Sequence, residues 1–201
     1  MFGINKYKSY DLVKLSKKVK RKLSDKRYLH TIGVTYTAAS LAMKYECDLN
    51  HVMTAGLLHD CAKNMTADDM ISYCNKNKIE LSDTEKINPE LLHAKVGSVL
   101  ADKKYGIKDE EILSAIRFHT TGKPDMSMME KIIYVADFIE PGRTNLPNID
   151  IIRKTAFTDI DKALVMILKS TLSYLKTQDC IIDSLTQETY DHYVQSIAEE
   201  N

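Results

Sequence analysis

The sequence has little of what would export, anchor or cross-link a chain. Its 201 residues include no tryptophan, four prolines, seven glycines and four cysteines. No CxxC pair occurs, so neither a zinc knuckle nor a thioredoxin-type site is indicated. No apolar run approaches the ~20 residues that span a bilayer, and the basic N-terminal segment lacks the apolar stretch of a signal peptide. We therefore predict a protein without membrane association, whose cysteines are reduced in the cytoplasm.

Charge of neither sign is in excess. Lys plus Arg number 28 and Asp plus Glu number 28, which gives a formal net charge of 0. No global field then draws the chain to a nucleic acid polymer or to anionic lipid, although a local cluster of cations could hold a small anionic substrate. Hydrophobic residues at 44% and charged residues at 28% are ordinary for a globular protein.

Signals for helix starts and stops recur along the chain. Ser127 and Glu130 have capping-box spacing, and Pro141–Gly142 ends the helix that they open. No alternating apolar run of useful length predicts a β-strand, apart from a fragment at Cys180–Ile182. Helices are predicted at about 10–24, 26–46, 49–62, from 66 onward, 89–106, 109–119, 128–140, 148–157, 159–177 and 187–199.

These patterns predict an all-α fold with a single domain. We place a basic N-terminal helix within residues 1–24 and a helical bundle over residues 25–201. The segment at 49–62 is apolar nearly all round, which is typical of a helix at the centre of a bundle.

Six polar side chains stand out because the segments around them are apolar: His30, His59, Asp60, His93, His119 and Asp137. A buried carboxylate is costly without a cation or a strong donor, and imidazole with carboxylate is a common metal-ligand set. Each residue also has an ordinary interpretation. A single histidine on an apolar helix face is more often a packing residue. Asp137 could pair with Arg or Lys, and the adjacent residues His59 and Asp60 could form the polar end of a helix. One shared metal ion would explain all six.

In order and spacing these residues resemble the HD-domain phosphohydrolase superfamily. The local segments are similar to the YqeK-type bacterial hydrolases, which cleave diadenosine tetraphosphate symmetrically. The resemblance covers roughly residues 20–200 and is carried by RYLHTIGV at 27–34, AGLLHDCAK at 55–63, LLHAKVG at 91–97, AIRFHTTGK at 115–123 and KIIYVADFIEPGR at 131–143.

The resemblance implies an HD-type helical bundle that binds iron through His30, His59, Asp60 and Asp137. Manganese, cobalt or zinc would suit the same mixture of ligands. In some HD relatives the positions of His93 and His119 hold a second ion, whereas in the YqeK-type family they are expected to face the polyphosphate. The residues implied to contact the substrate are His30, Asp60, His93, His119, Thr120, Asp137, Arg143, Ile181, Ile182, Asp183, Ser184 and Leu185. The last five lie in a segment that reads CIIDSLTQETY, without the His-Pro common in that loop of the family.

The implied reaction is hydrolysis of a dinucleoside polyphosphate to ADP. Asp60 would orient the attacking water, and His93 or His119 could donate a proton. Lys63 would supply a point charge for phosphate, although it could instead interact with the dipole of the preceding helix. Arg143 would offer a planar fork for phosphate oxygens, although it could instead pair with a nearby glutamate, Glu140.

Two other functions stay open at this point. One is another HD nucleotide phosphohydrolase, either a nucleotidase or a cyclic-dinucleotide phosphodiesterase. The other is a metal- and nucleotide-binding regulator without catalytic activity. A homodimer contact could be supplied by the helices that carry the 11 tyrosines and 9 methionines.

Overall fold

The computed structural model describes residues 9–178 and 181–199, and every regular element in those ranges is helical. The all-α prediction is therefore confirmed. The helices are α1 Leu12–Lys20, α2 Asp25–Lys44, α3 Leu49–Leu58, α4 Ala67–Asn77, α5 Asp83–Ile87, α6 Leu92–Tyr105, α7 Glu110–Phe118, α8 Met128–Ile139, α9 Ile149–Ala156, α10 Ile160–Thr177 and α11 Ser184–Glu199. A 3-10 turn at Pro89–Leu91 precedes α6. None of the described helices is long and apolar enough to cross a membrane.

Polar side chains fix where several helices begin. Ser24 accepts a hydrogen bond from the N–H of Arg27 at the start of α2, and Asp48 does the same for α3. The capping box of Ser127 and Glu130 is present at the start of α8, as predicted. Such caps satisfy backbone N–H groups that have no partner inside the helix.

The core is built around α2, α3 and α8. Helix α2 packs on both α3 and α8, α7 joins α6 to α8, and α10 packs on α8, α9 and α11. Gly56 sets the approach of α3 to α2, because a Cβ there would lie 3.0 Å from the Cα of Thr35. Helix α1 shares this core through buried Leu15 and Val19, which face α3.

Several helix limits differ from those predicted. Helix α3 ends at Leu58 rather than near residue 62, and the chain continues in turns, with Nδ1 of His59 2.7 Å from the carbonyl oxygen of Gly56. Pro89 opens a 3-10 turn instead of a regular helix, and Asn88 makes no side-chain cap. Helix α5 was not predicted, and α11 begins at residue 184 rather than 187.

The predicted strand fragment is also absent from the part of the chain that the structure describes. Residues 181–183 are irregular, and Cys180 lies outside the described residues.

Candidate metal centre

Three helices bring the four predicted metal ligands together. His30 lies in the second turn of α2, His59 and Asp60 directly follow α3, and Asp137 lies in the last turns of α8. Because α2 packs on both α3 and α8, side chains more than a hundred positions apart in the sequence converge.

The distances between these side chains are short. The Nε2 of His30 lies 3.0 Å from Oδ1 of Asp137 and 3.9 Å from Oδ2 of Asp60, and the Nε2 of His59 lies 3.5 Å from the same oxygen of Asp60. One ligand atom each from His30, His59 and Asp60 lie within 4.8 Å of one another, which is close enough for all three to hold one ion.

The hydrogen bonds of the two imidazoles fit a bound cation. In His59, Nδ1 lies 2.7 Å from the carbonyl oxygen of Gly56, and in His30 it lies 3.1 Å from Oε1 of Glu140. Both partners accept, so each Nδ1 carries a proton. The two Nε2 atoms are buried without a hydrogen-bond partner, and each faces a carboxylate. A divalent cation between them would satisfy both rings and Asp60; Asp137 lies 3.0 Å from His30 but outside this group of mutually close donors.

Asp60 is the most enclosed carboxylate of the centre. Burial disfavours its charge, but His59 and His119 outweigh that effect and hold the pKa of its carboxyl well below the usual range. Arg27 donates to its Oδ2 across 2.9 Å. Asp60 is therefore ionised at neutral pH and available as a ligand.

A second group of donors meets the other oxygen of Asp60. The Nε2 atoms of His93 and His119 lie 3.4 Å and 3.7 Å from Oδ1, and 3.2 Å from each other. Burial first, then the nearby His119 and Lys63, lower the pKa of His93 to about 3, so this ring is neutral near pH 7. Asp60, His93 and His119 also satisfy the spacing for a metal ion.

A cleft of about 1420 Å³ opens over these groups, and His30 and His93 lie in its lining. Two cations that also line it are held by carboxylates of the cluster: Arg27 contacts Asp60 at 2.9 Å and Arg143 contacts Asp137 at 3.0 Å. Lys63 also lines the cleft, with its Nζ 3.3 Å from Nδ1 of His93, which itself donates to the carbonyl oxygen of Glu90.

Two of these cations change the interpretation made from the sequence. Arg143 pairs with Asp137 and not with Glu140, so the alternative partner proposed for it is wrong. Arg27 was not identified from the sequence as a candidate site residue. It lies three residues before His30, on the same side of the same helix, and that spacing would have indicated a place near the site.

Thr120 and residues 181–185, which were also predicted to contact the substrate, are not among the residues that line the cleft. Thr120 belongs to the turn after α7, where a Cβ at Gly122 would lie 2.8 Å from Cγ2 of Thr189 in α11. Residues 181–185 lead into α11, with Asp183 accepting a hydrogen bond from the N–H of Leu185. Neither Thr120 nor the described loop lines the cleft, and their contact with a substrate stays a prediction.

Comparison with known proteins gives a consistent result. Residues 27–142 match the family model described as HD domain. A Bacillus subtilis (strain 168) protein named symmetrical bis(5'-nucleosyl)-tetraphosphatase is 40% identical over 176 residues, which cover 88% of this chain and 94% of that protein. A Staphylococcus aureus protein of the same name is 36% identical over 185 residues, which cover 91% of this chain and 94% of that protein.

A solved structure shares the fold over nearly the whole chain. It is a Clostridium acetobutylicum protein described as a predicted HD superfamily hydrolase involved in NAD metabolism. The two structures superpose with a TM-score of 0.89 at 39% sequence identity, over 94% of this chain and 100% of that one.

Proposed function

This chain belongs to the HD domain family, and from that premise we propose that it is a metal-dependent hydrolase that cleaves diadenosine tetraphosphate symmetrically into two ADP. The observation that carries the proposal is the meeting of two imidazoles and two carboxylates beside a cleft lined by Lys and Arg side chains. Relatives at 36% and 40% identity that span most of the chain carry the name of this activity.

His30, His59, Asp60 and Asp137 are the residues that would hold the ion. We propose iron, and manganese, cobalt and zinc also suit two imidazoles with two carboxylates. When bound, such a cation polarises a phosphate oxygen and acidifies a water molecule. The spacing of Asp60 with His93 and His119 supports either a second ion or a pair of rings facing the polyphosphate.

The chain's own residues would guide the hydrolysis. Water attacks one of the two central phosphorus atoms, and the bond from that phosphorus to the oxygen that bridges the two central phosphates breaks, so both products are ADP. Asp60 would orient the water, and the proton of that water would pass to solvent, because the pKa of the Asp60 carboxyl is held too low for it to keep a proton. His119 would assist departure of the second ADP, which is already a good leaving group, whereas the neutral ring of His93 would face the polyphosphate.

Three of the cations that line the cleft would bind the phosphate chain. Arg27 and Arg143 are each held by a carboxylate of the centre and Lys63 lies beside His93, so all three are close to the place where the central phosphates would lie. The guanidinium groups match phosphate oxygens two at a time, and the ammonium adds a point charge.

An apolar strip on α2 would receive an adenine ring. Leu29 and Tyr36 are 73% and 63% exposed and both line the cleft. They are two turns apart on one helix face, on either side of the turn that carries Ile32 and Gly33. A nucleobase stacked on an exposed aromatic ring gains about 1–3 kcal/mol. We therefore propose that Tyr36 contacts one adenine of the substrate.

Product identification tests the proposal. Metal-loaded protein should convert diadenosine tetraphosphate into ADP alone, as resolved by anion-exchange chromatography, and Asp60→Ala should lose most of that turnover. Formation of AMP with ATP would refute symmetrical cleavage. A faster reaction with a nucleoside monophosphate or a cyclic dinucleotide would favour another HD hydrolase. Tight binding without turnover would favour a regulator.

We also propose the cytoplasm as the compartment where the protein acts. Cys47, Cys61 and Cys74 are free thiols in the structure, which agrees with a reducing environment. A homodimer stays a prediction that the mass of the protein in solution will test.

A further inference from the structure

Glu140 is a buried carboxylate whose partners are unusual. It is 5% exposed and lies at the end of α8. Its Oε1 lies 3.1 Å from Nδ1 of His30, and its Oε2 accepts a hydrogen bond of 2.6 Å from the backbone N–H of Gly142. Among residues 9–178 and 181–199, no lysine or arginine side chain pairs with this carboxylate. The guanidinium of Arg153 reaches only its backbone oxygen.

Two glycines make room for this carboxylate. A Cβ at Gly33 of α2 would lie 2.5 Å from Oε2, and a Cβ at Gly142 would lie 2.8 Å from Oε1. Neither glycine has a positive φ, so the backbone conformation does not require glycine at either position. A side chain at either position would push the end of the Glu140 side chain away from its partners. Glycine at both positions therefore leaves room for this carboxylate, which would be costly to bury without compensating contacts.

We propose that Glu140 is a positioning residue that keeps the proton of His30 on Nδ1, so that the lone pair of Nε2 faces the metal centre. The inference rests on the metal centre of the proposed function. A carboxylate that accepts from the far nitrogen of a metal-binding histidine fixes its tautomer and ring orientation and makes it a better ligand. His30 is the ring that needs such control, because its Nε2 lies 3.0 Å from Asp137 and would otherwise bind a proton there.

The substitution Glu140→Gln changes the hydrogen bonding with almost no change in size. The amide has one acceptor oxygen, which cannot satisfy both His30 Nδ1–H and Gly142 N–H. If the amide oxygen stays on Gly142, the NH₂ group faces His30, and Nδ1 must then become an acceptor. The proton of His30 moves to Nε2, where it blocks the lone pair offered to the metal.

Metal affinity is the first measurement. Purified protein is stripped of metal, and the binding of Mn²⁺ is measured by competition with a chelator of known affinity. Loss of such a partner weakens metal binding by about 10- to 100-fold, and we expect this for Glu140→Gln. Glu140→Asp keeps the charge and should recover part of the affinity.

Glu130→Gln is the matched control. Glu130 lies on the same helix, is 4% exposed and takes part in the capping box, with Lys123 at 3.1 Å. Its substitution should lower the melting temperature without changing metal affinity. If both variants lose affinity in proportion to their loss of stability, the role of Glu140 is structural only and the inference is overturned.

The tautomer of His30 is the second measurement and needs no variant. The ¹⁵N shifts of the imidazole in wild-type protein loaded with Zn²⁺ should show a protonated Nδ1 and a metal-bound Nε2. Coordination through Nδ1, or an Nδ1 without a proton, overturns the inference even if Glu140→Gln fails to fold. Wild-type protein that binds no divalent metal would refute the proposed function instead, whereas metal binding that is equal in wild type and Glu140→Gln would refute only this inference.

Discussion

Metal should raise the melting temperature of the wild-type protein and leave the melting temperature of Asp60→Asn unchanged. The four donors come from three segments far apart in the sequence, so they form a site only in the folded chain. At a free metal concentration 100 times Kd, binding to the folded state alone stabilises it by about 2.7 kcal/mol. A chain of this size gains about 2–4 °C per kcal/mol, so the expected rise is about 5–11 °C.

Asp60→Asn isolates the charge of the carboxylate. The amide has nearly the same volume, and Arg27, whose side chain is 33% exposed, can turn to solvent when its partner is neutral. The metal-free variant should therefore fold, and its melting temperature should not respond to metal because the shared ligand of both donor groups is lost. Calorimetry of chelator-treated protein, with and without Mn²⁺, measures both effects.

Asp161→Asn provides the control for this experiment. Oδ1 of Asp161 on α10 lies 2.6 Å from Nζ of Lys131, and neither residue lines the cleft. Its substitution should therefore leave the metal-dependent rise in melting temperature intact. An equal rise in Asp60→Asn and wild type would refute the assignment of Asp60 as a ligand. No rise in wild type at saturating iron and manganese would refute the metal centre itself.

Three further outcomes are expected. Tyr36→Ala should raise KM for diadenosine tetraphosphate about 5- to 150-fold, the loss of one stacked base, with kcat little changed. Tyr174→Ala, which is 62% exposed in another groove, should not raise KM. Asp137→Asn should lower the bound metal per chain in elemental analysis, and unchanged stoichiometry would remove it from the ligand set. Arg143→Lys should lower kcat/KM about tenfold or more, because one ammonium cannot replace a two-point phosphate contact; activity equal to wild type would assign Arg143 to holding Asp137 only.

The helical fold could be predicted because its signals are local. The capping box of Ser127 and Glu130 and the stop at Pro141–Gly142 lie within the helix that they define. The prediction failed at the end of α3, where the apolar pattern continues to Ala62 but the helix ends at Leu58. His59 and Asp60 lie in the turn that follows, and periodicity in the apolar residues carries no information on where the backbone leaves the helix.

The candidate ligands could be found from sequence, but their partners could not. Arg143 and Glu140 are three residues apart, which left an ion pair between them open as an alternative to a phosphate contact. In the structure Arg143 turns back to Asp137, and Glu140 contacts His30 of another helix. Those contacts depend on how α2 packs on α8, and a contact between distant segments leaves no local pattern.

The proposed donors of the metal centre lie on packed helices or directly after one, and both His59 and Asp60 are buried. An ion held there must lose several protein ligands together before it can escape, so we expect replacement by another ion to be slow. The metal present after purification then reflects what the growth medium supplied during synthesis. Batches from different media need to be emptied and reloaded with one metal before their rates are compared.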